Sequence, residues 1–254
     1  MHIATLNVRN RADRWRQRRH LLVHQLIELA PDVLGTQELR ILPNQAAWIT
    51  REVERRSDGR LRYRWYRRPK TGLLGLWEGI GVLSRLPVAA VAWLDLGVDA
   101  RVAQRVTVHR PDGGLLDVYN THFGGKGEER RSAQARRVLE WMDTRPPLPV
   151  VLMGDLNARP GSPTVELLSS RLRSAYLDRH GSEPARTVPT PLRRGYTGEG
   201  AVLDYVFVND LLEVEDATLS FDQVDPDDPT LAASDHYGLA VTVAVRGGEA
   251  ADGG

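Results

Sequence analysis

The chain has 254 residues, with 34 lysines and arginines against 33 aspartates and glutamates and a hydrophobic fraction of 41%. This composition excludes a disordered polyelectrolyte, and the net charge of +1 does not indicate a nucleic-acid coat protein or a membrane-surface binder. Cysteine is absent, which excludes disulfides and thiolate metal sites and suits a reducing compartment.

The location and domain organisation follow from similar observations. No apolar run reaches the ~20 residues that a membrane helix needs, and the first residues lack the features of a secretory signal. We therefore expect a cytoplasmic monomer without membrane insertion. The length suits one domain, which we place at residues 1–246, followed by a flexible tail of small residues at 247–254.

The first half of the chain is predicted to alternate strands with a helix. Strands are predicted at residues 3–7, 31–38, 61–68 and 79–84. A helix over about 13–29 separates the first two strands, because apolar residues recur there with helical spacing and Pro31 follows.

The second half is predicted to be richer in strands. A hairpin joins residues 105–109 to 115–121 through Asp112-Gly113-Gly114. The remaining elements are a helix at 128–142, a strand at 149–153, a short helix opened by Ser162-Pro163, and strands at 205–208, 217–221 and 239–245. The Gly- and Pro-rich residues 181–200 indicate a surface loop.

Polar residues end or flank six of these strands, where a core would not place them. They are Asn7, Gln37-Glu38, Glu78, Asn120-Thr121-His122, Asp155-Leu156-Asn157 and Ser234-Asp235-His236. Each one alone fits a turn, a helix cap or a satisfied histidine. Because strand ends share a common rim, we expect these side chains to converge on one cleft, where a divalent cation would relieve the repulsion between carboxylates.

The types of ligand indicate which cation this would be. Carboxylate and amide oxygens without cysteine favour a hard ion, Mg²⁺ or Mn²⁺ as its substitute, over zinc. His20 and His24 lie one helical turn apart but lack the glutamate and third ligand of a zinc protease. We interpret this pair as part of a solvated helix face.

Seven short segments occur in the order typical of the endonuclease/exonuclease/phosphatase superfamily. They are Thr5-Leu6-Asn7, Gln37-Glu38, Gly81-Val82-Leu83-Ser84-Arg85-Leu86-Pro87, Asn120-Thr121-His122, Gly154-Asp155-Leu156-Asn157, Leu203-Asp204-Tyr205-Val206 and Ser234-Asp235-His236. The chain therefore resembles this family, in its pancreatic-deoxyribonuclease-like branch, over residues 5–236. The resemblance implies an α/β (α+β) fold, a four-layered α/β sandwich of two mainly antiparallel sheets packed face to face with helices outside.

The resemblance also implies roles around the metal. Glu38 would be the principal Mg²⁺ ligand, with Asn7 and Asp235 close to the metal or the scissile phosphate. Asp155 would activate or position the attacking water, and Asn157 would hold that water or a phosphate oxygen in line.

Two histidine–acid pairs are implied in the same way. His236 would stabilise the pentacovalent phosphorus, with Asp204 fixing its tautomer. His122, with Glu78 as its partner, would protonate the leaving oxygen. The division of acid and base work between the two histidines stays open at this point.

Arginines near the predicted rim have two interpretations. Arg101 or Arg105 would clamp a phosphate through its planar fork, or be a solvated strand-edge residue. The basic stretch at 51–70 would track nucleic acid through its aromatics, or form a strand that buries Tyr63 and Trp65 and leaves its arginines in water. We favour the strand.

These observations predict the hydrolysis of a phosphate ester, and a phosphodiester in a nuclease-like reaction is preferred. The alternatives are a phosphomonoesterase acting on a sugar, nucleotide or other small metabolite, and a non-catalytic binding module with the same fold. The partner is thus nucleic acid or a small phosphorylated metabolite. Arg9 and His122 depart from the pattern of abasic-site repair nucleases, which argues against DNA repair.

Overall fold

The computed structural model describes residues 1–193 and 195–247. In chain order its elements are β1 (His2–Asn7), α1 (Trp15–Leu29), β2 (Val33–Arg40), α2 (Gln45–Arg56), β3 (Arg64–Pro69), a 3₁₀ turn (Leu73–Leu76), β4 (Glu78–Ser84), β5 (Val88–Asp95), β6 (Val102–His109), β7 (Leu115–His122), α3 (Glu128–Asp143), β8 (Val150–Asp155), α4 (Pro163–Ser169), β9 (Arg173–Ser174), α5 (Ala175–His180), β10 (Asp204–Val208), β11 (Leu212–Ser220) and β12 (Gly238–Val245).

The strands form two six-stranded sheets. The first sheet has the order β11-β12-β1-β2-β4-β3, and the second has the order β5-β6-β7-β8-β10-β9. Only the β1–β2 and β7–β8 pairs are parallel among the described strands. The prediction of two mainly antiparallel sheets is confirmed.

Apolar side chains hold the sheets and helices together in four layers. Between the sheets, Ile3 and Val82 of the first pack in one cluster with Val118 and Val206 of the second. A second cluster joins the outer face of the first sheet to α1 and α2, and a third joins the outer face of the second sheet to α3 and α4. Alternate residues of each central strand therefore serve two cores, and the predicted sandwich with helices outside is confirmed.

The strand register brings the predicted site residues to one rim. In the second sheet, Asp155 is opposite His122 on one side and Asp204 on the other. In the first sheet, Asn7 is opposite Gln37, one residue before Glu38. Because β1 contacts both β8 and β10, the rims of the two sheets meet.

Several elements differ from the sequence prediction. Helix α2 and strand β5 were not predicted, and α1 begins at Trp15 because Asp13 and Arg14 adopt left-handed backbone angles. Trp65 was expected to be buried, but it is 38% exposed because β3 is an edge strand. Its ring is instead covered by a guanidinium, that of Arg67, 5.4 Å from the ring centroid.

The predicted loop at 181–200 has no helix or strand in its described residues. It is nevertheless anchored, because the buried Thr190 donates from its backbone N–H to Asp235 O and from its hydroxyl to Ser234 O. Apart from Gly247, the predicted tail lies outside the described residues. No helix in the described chain has the length and apolarity to cross a membrane.

Candidate active site

Asp155 lies at the centre of the polar cluster where β8 ends. Its Oδ2 accepts a 2.9 Å hydrogen bond from Asn7 Nδ2 and lies 3.4 Å from His122 Nε2 and 4.0 Å from His236 Nε2. The preceding Gly154 has φ 142°, and a Cβ there would meet Thr121 O at 2.0 Å. Only glycine lets β8 approach β7 so closely before the aspartate.

Glu38 reaches the same cluster through an irregularity in β2. The pairing of β2 with β4 shifts register between Thr36 and Leu39, and Glu38 takes a left-handed φ of 51°. Such a bulge re-aims a side chain, and non-glycine strain of this kind concentrates at functional sites. Asn7 Nδ2 donates to Glu38 Oε1 over 3.2 Å, and ligand atoms of Glu38, His122 and Asp155 all lie within 4.8 Å of one another.

His236 is paired with Asp204 as the sequence predicted. The distance from His236 Nδ1 to Asp204 Oδ2 is 2.8 Å, and both side chains are buried. Burial alone would lower the pKa of His236, but the charge and hydrogen bond of Asp204, with further help from Asp155 and Asp235, raise it well above its usual value. The ring is therefore an imidazolium at neutral pH.

The pKa of Asp155 is raised to about 7. Burial raises it first, and the nearby charge of Asp204 raises it further, against opposing effects of His236 and the Asn7 hydrogen bond. Asn157, with a left-handed φ of 49°, donates its backbone N–H to Asp155 Oδ1 over 3.0 Å. A carboxylate in this state is suited to accept a proton near neutral pH.

His122 has the opposite character. Burial, followed by the charges of Arg101 and Lys70, lowers the pKa of His122 well below its usual value, so the ring is neutral. Its Nε2 lies 3.2 Å from Asn157 Nδ2. Nδ1 is buried without a hydrogen-bond partner in the described chain.

The predicted pair of His122 and Glu78 is wrong. Glu78 lies on the same rim, but its carboxylate is bonded to the ammonium of Lys70, and no hydrogen bond or ion pair joins it to His122 within the described residues. Lys70 follows β3, the edge neighbour of β4, and so reaches the first residue of β4. This neighbour could not be inferred from the sequence alone.

The Asp235 carboxylate lies beside the guanidinium group of Arg9, which also approaches Glu38. Its Oδ2 lies 3.4 Å from Arg9 Nε and 3.7 Å from Arg193 Nε, and Arg9 Nη1 lies 3.8 Å from Glu38 Oε2. Asp235 Oδ2 is buried without a hydrogen bond in the described chain. Ser234 fixes the segment by donating its hydroxyl to Asn7 O over 2.5 Å.

The donor set fits a hard divalent cation. The pKa of Glu38 is raised first by burial, then by the charge of Glu78, and also by Asp235, so carboxylates repel one another across this space. Arg9 offsets this repulsion only in part, because it also pairs with Asp13. Carboxylate oxygens in such a cluster are ligands that Mg²⁺ and Mn²⁺ prefer.

The two candidate phosphate-binding arginines occupy different positions relative to the site. Arg101 is near enough to His122 to lower its pKa, and its Nε and Nη1 are buried without partners in the described chain. Arg105 lies away from the rim, 4.0 Å from Asp117 and against the ring of Trp141 under α3. The structure therefore does not bring Arg105 to the rim, because its position in mid-strand points it under the helix.

Arg18 is the most important residue that the sequence analysis missed. It is fully buried, and its guanidinium donates to six backbone carbonyls, those of Val8, Arg9, Asn10, Ala12, Asp13 and Ala233. This ties the loop after Asn7 to the segment before Asp235. The sequence did contain an indication that Arg18 is buried, since it falls three residues after Trp15 and four before Leu22, on the buried stripe of α1.

Gln37 and Asn120 belong to the predicted motifs but serve the fold. Gln37 Nε2 donates to Thr5 Oγ1 and Asn120 Oδ1, and Asn120 Nδ2 donates to the carbonyls of Thr36 and Gly81. These bonds join the two sheets beneath the site. A buried polar network of this kind fixes one relative position of the sheets.

Comparisons with known proteins identify the family of the chain. The model of the "Endonuclease/Exonuclease/phosphatase family" matches residues 4–236. A comparison with curated protein sequences finds no significant match.

Solved structures share the fold at low identity. An endonuclease/exonuclease/phosphatase from Bacteroides vulgatus has a TM-score of 0.77 at 17% identity, over 96% of this chain and 98% of that one. The human Nocturnin catalytic domain with bound sulfate anion has 0.74 at 22%, over 96% and 94%. The Bacteroides thetaiotaomicron VPI-5482 mannosyl-6-phosphatase Bt3783 has 0.74 at 20%, over 96% and 99%.

The four-layered sandwich is the fold that these solved structures share. The chain belongs to the Endonuclease/Exonuclease/phosphatase family, whose members are mostly hydrolytic phosphoesterases.

Proposed function

We propose that this protein hydrolyses a phosphodiester with the help of Mg²⁺, for which Mn²⁺ can substitute. The observation that carries the proposal is the contact of Asp155 with Asn7, His122 and His236, which come from separate parts of the chain. A core has no use for such a buried group of charges, and its cost in stability is typical of a catalytic site.

The metal would be held mainly by Glu38, with Asn7 and Asp235 beside it. A divalent cation bound there would neutralise charge on a phosphoryl oxygen. The charges of Glu78 and Asp235, which raise the pKa of the buried Glu38, support a cation at this position.

Asp155 would take a proton from the attacking water. Its raised pKa suits a base that works near neutral pH. Asn7 holds the carboxylate in place from one side and Asn157 N–H from the other. The Asn157 side chain, 3.2 Å from His122 Nε2, is close enough to hold the water or a phosphate oxygen in line.

The two histidines would then have different work. His236, charged and oriented by Asp204, would stabilise the negative phosphorane and is the better source of a proton for the leaving oxygen. His122 is neutral and so suits hydrogen bonding to a phosphoryl oxygen better than proton donation. Arg101, with buried unpaired guanidinium nitrogens, would clamp that phosphate.

A diester is favoured by the space beside the site. A cavity of about 1200 Å³ opens from Glu38 and Glu78. A phosphate monoester with a small group would fill only the end of this space, whereas a diester has a second substituent that needs room. The cysteine-free composition supports a reducing compartment such as the cytoplasm, and we propose a monomer with one domain over residues 1–246.

The test is a side-by-side screen with Mg²⁺, with Mn²⁺ and with EDTA. The substrates are bis(4-nitrophenyl) phosphate, a single-stranded oligonucleotide, and a panel of sugar and nucleotide monophosphates. We expect turnover of diesters that EDTA abolishes. Release of inorganic phosphate from monoesters alone would replace the diesterase with a monoesterase, and no turnover of any substrate would leave a non-catalytic module.

A further inference from the structure

A basic cleft lies next to the site, on the side of Glu38 and Glu78. Its cavity of about 1200 Å³ is also lined by the start of α1 and the loop before it. Six arginines line it, namely Arg9, Arg11, Arg14, Arg16, Arg19 and Arg40. We call this space the arginine cleft. The proposed hydrolysis gives none of these six arginines a role, and only Arg9 contacts acids of the site, Glu38 and Asp235.

Most of this positive charge has no counterion in the protein. Arg14 pairs with Asp228 at 2.5 Å, and Arg9 pairs with acids of the site. In the described part of the chain no carboxylate lies within ion-pair distance of Arg11, Arg16, Arg19 or Arg40. Four cations that share one concave space repel one another, and a bound anion would relieve that repulsion.

The start of α1 increases the positive potential. A helix carries partial positive charge at its N-terminus, where acidic side chains are favourable and basic ones are not. The first turn of α1 has no acid, its N-cap is Arg14 without a side-chain cap, and Arg16 is the second residue of the helix. The sequence thus places basic residues at the helix N-terminus, where they are unfavourable, on the face that lines the cleft. Such conflicts are expected where a ligand supplies the missing charge.

We propose that the arginine cleft binds a second phosphate group of the substrate, so that the enzyme acts on molecules with at least one phosphate besides the scissile one. The inference deepens the proposed function and rests on it, because Glu38 and Glu78 form the end of the same cleft. The two sources of such a ligand are a polynucleotide and a small diester that carries a second phosphate. Both present the same chemistry to the guanidinium groups.

Binding of inorganic tripolyphosphate in EDTA tests the cleft without the metal site. The double variant Arg11→Ala/Arg16→Ala removes two exposed arginines that have no ion pair in the described chain. The control Arg136→Ala/Arg179→Ala removes two exposed arginines from α3 and α5. Titration calorimetry should show binding by the wild type and the control, weakened by roughly tenfold or more in Arg11→Ala/Arg16→Ala.

Equal tripolyphosphate affinity in the wild type and Arg11→Ala/Arg16→Ala would overturn the proposal, as would no binding by the wild type. Thermal unfolding of the variant controls for folding. We expect it to be at least as stable as the wild type, because Arg16 leaves the positive end of a helix.

Turnover with Mg²⁺ then tests the role in the substrate. Two matched pairs of diesters are compared: dithymidine monophosphate with and without a 5′-phosphate, and the small diester thymidine 5′-(4-nitrophenyl phosphate) with and without a 3′-phosphate. We expect the wild type to prefer the more phosphorylated member of one pair in kcat/KM, and the preference to fall roughly tenfold in Arg11→Ala/Arg16→Ala but not in the control. The pair that shows the effect identifies the source.

An unchanged preference in Arg11→Ala/Arg16→Ala would overturn the inference while leaving the phosphoesterase intact. If no ester is hydrolysed at all, the proposed function fails, and the tripolyphosphate titration still decides whether the cleft binds phosphate.

Discussion

Asn7 and Asp155 connect the two sheets at the rim that carries the site, because the amide nitrogen of Asn7 donates to Asp155 Oδ2 over 2.9 Å. The same nitrogen donates to Glu38 Oε1 over 3.2 Å. One neutral side chain therefore positions the proposed base and the proposed metal ligand together. Loss of the Asn7 side chain would therefore affect the positions of both residues.

Replacement of Asn7 by alanine should lower kcat by about 10- to 100-fold, because a hydrogen bond to a charged group contributes roughly 1.5–3 kcal/mol. Steady-state kinetics with bis(4-nitrophenyl) phosphate measures it. The matched control is Asn209→Ala. This change also removes two amide side-chain hydrogen bonds, with Leu148 O and Val150 N–H, but at the other end of β8. A loss of kcat in the control equal to that of Asn7→Ala would show that the effect is structural.

Glu38→Gln should have opposite effects on stability without and with metal. In EDTA the variant should unfold at a higher temperature than the wild type, because repulsion with Glu78 and Asp235 is removed. Relief of ~1 kcal/mol would raise Tm by about 2–4 °C.

Added Mg²⁺ should stabilise the wild type and leave Glu38→Gln nearly unchanged, since only a protein that binds the ion gains from it. Scanning calorimetry measures both effects, and Glu215→Gln, at an exposed position of β11, is the control. An equal Mg²⁺ response in Glu38→Gln would remove Glu38 as the principal ligand.

The pKa values of the two site histidines should be shifted in opposite directions in the metal-free protein. The pKa of His236 is raised to about 10, so its contribution to stability is complete below pH 6.5 and is lost as the pH rises toward 10. The pKa of His122 is lowered, so folding keeps it neutral and loses stability below pH 6.5, where the unfolded chain takes up the proton. NMR of the ring nitrogens should show charged His236 and neutral His122 at pH 7. The reverse pattern would exchange their proposed roles.

Arg18→Met should destabilise the protein by at least about 3 kcal/mol, because six backbone carbonyls lose their donor and the bonds to Val8 and Ala233 among them are buried. Urea unfolding measures the change, and Arg136→Ala, an exposed arginine, should stay within about 0.5 kcal/mol of the wild type. A near-neutral Arg18→Met would mean that water replaces the guanidinium.

The sequence was sufficient to predict the sandwich and the rim on which the polar residues meet. Strand-end positions are local features, so Asn7, Asp155 and His236 could be identified from their place after apolar runs. Contacts across strands depend on side-chain direction and loop course. For that reason the Lys70–Glu78 pair was missed, and Arg105 was wrongly placed at the site.

The arginines near α1 show the same limit. Arg18 interrupts an apolar stripe and could have been recognised as buried, but its six carbonyl partners come from loops whose path the sequence does not specify. Strand β5 was missed because its residues are half exposed on a sheet edge, which removes the clear alternation of buried and solvated positions.

The central claim is that Asp155 takes a proton during metal-dependent hydrolysis. The most direct measurement is kcat for bis(4-nitrophenyl) phosphate with saturating Mg²⁺ in the wild type, Asp155→Asn and the exposed control Asp112→Asn. We expect EDTA to abolish turnover, Asp112→Asn to match the wild type, and Asp155→Asn to lose a factor of about 10²–10⁴ while staying folded. A folded Asp155→Asn enzyme that turns over at a rate close to the wild type would contradict the account.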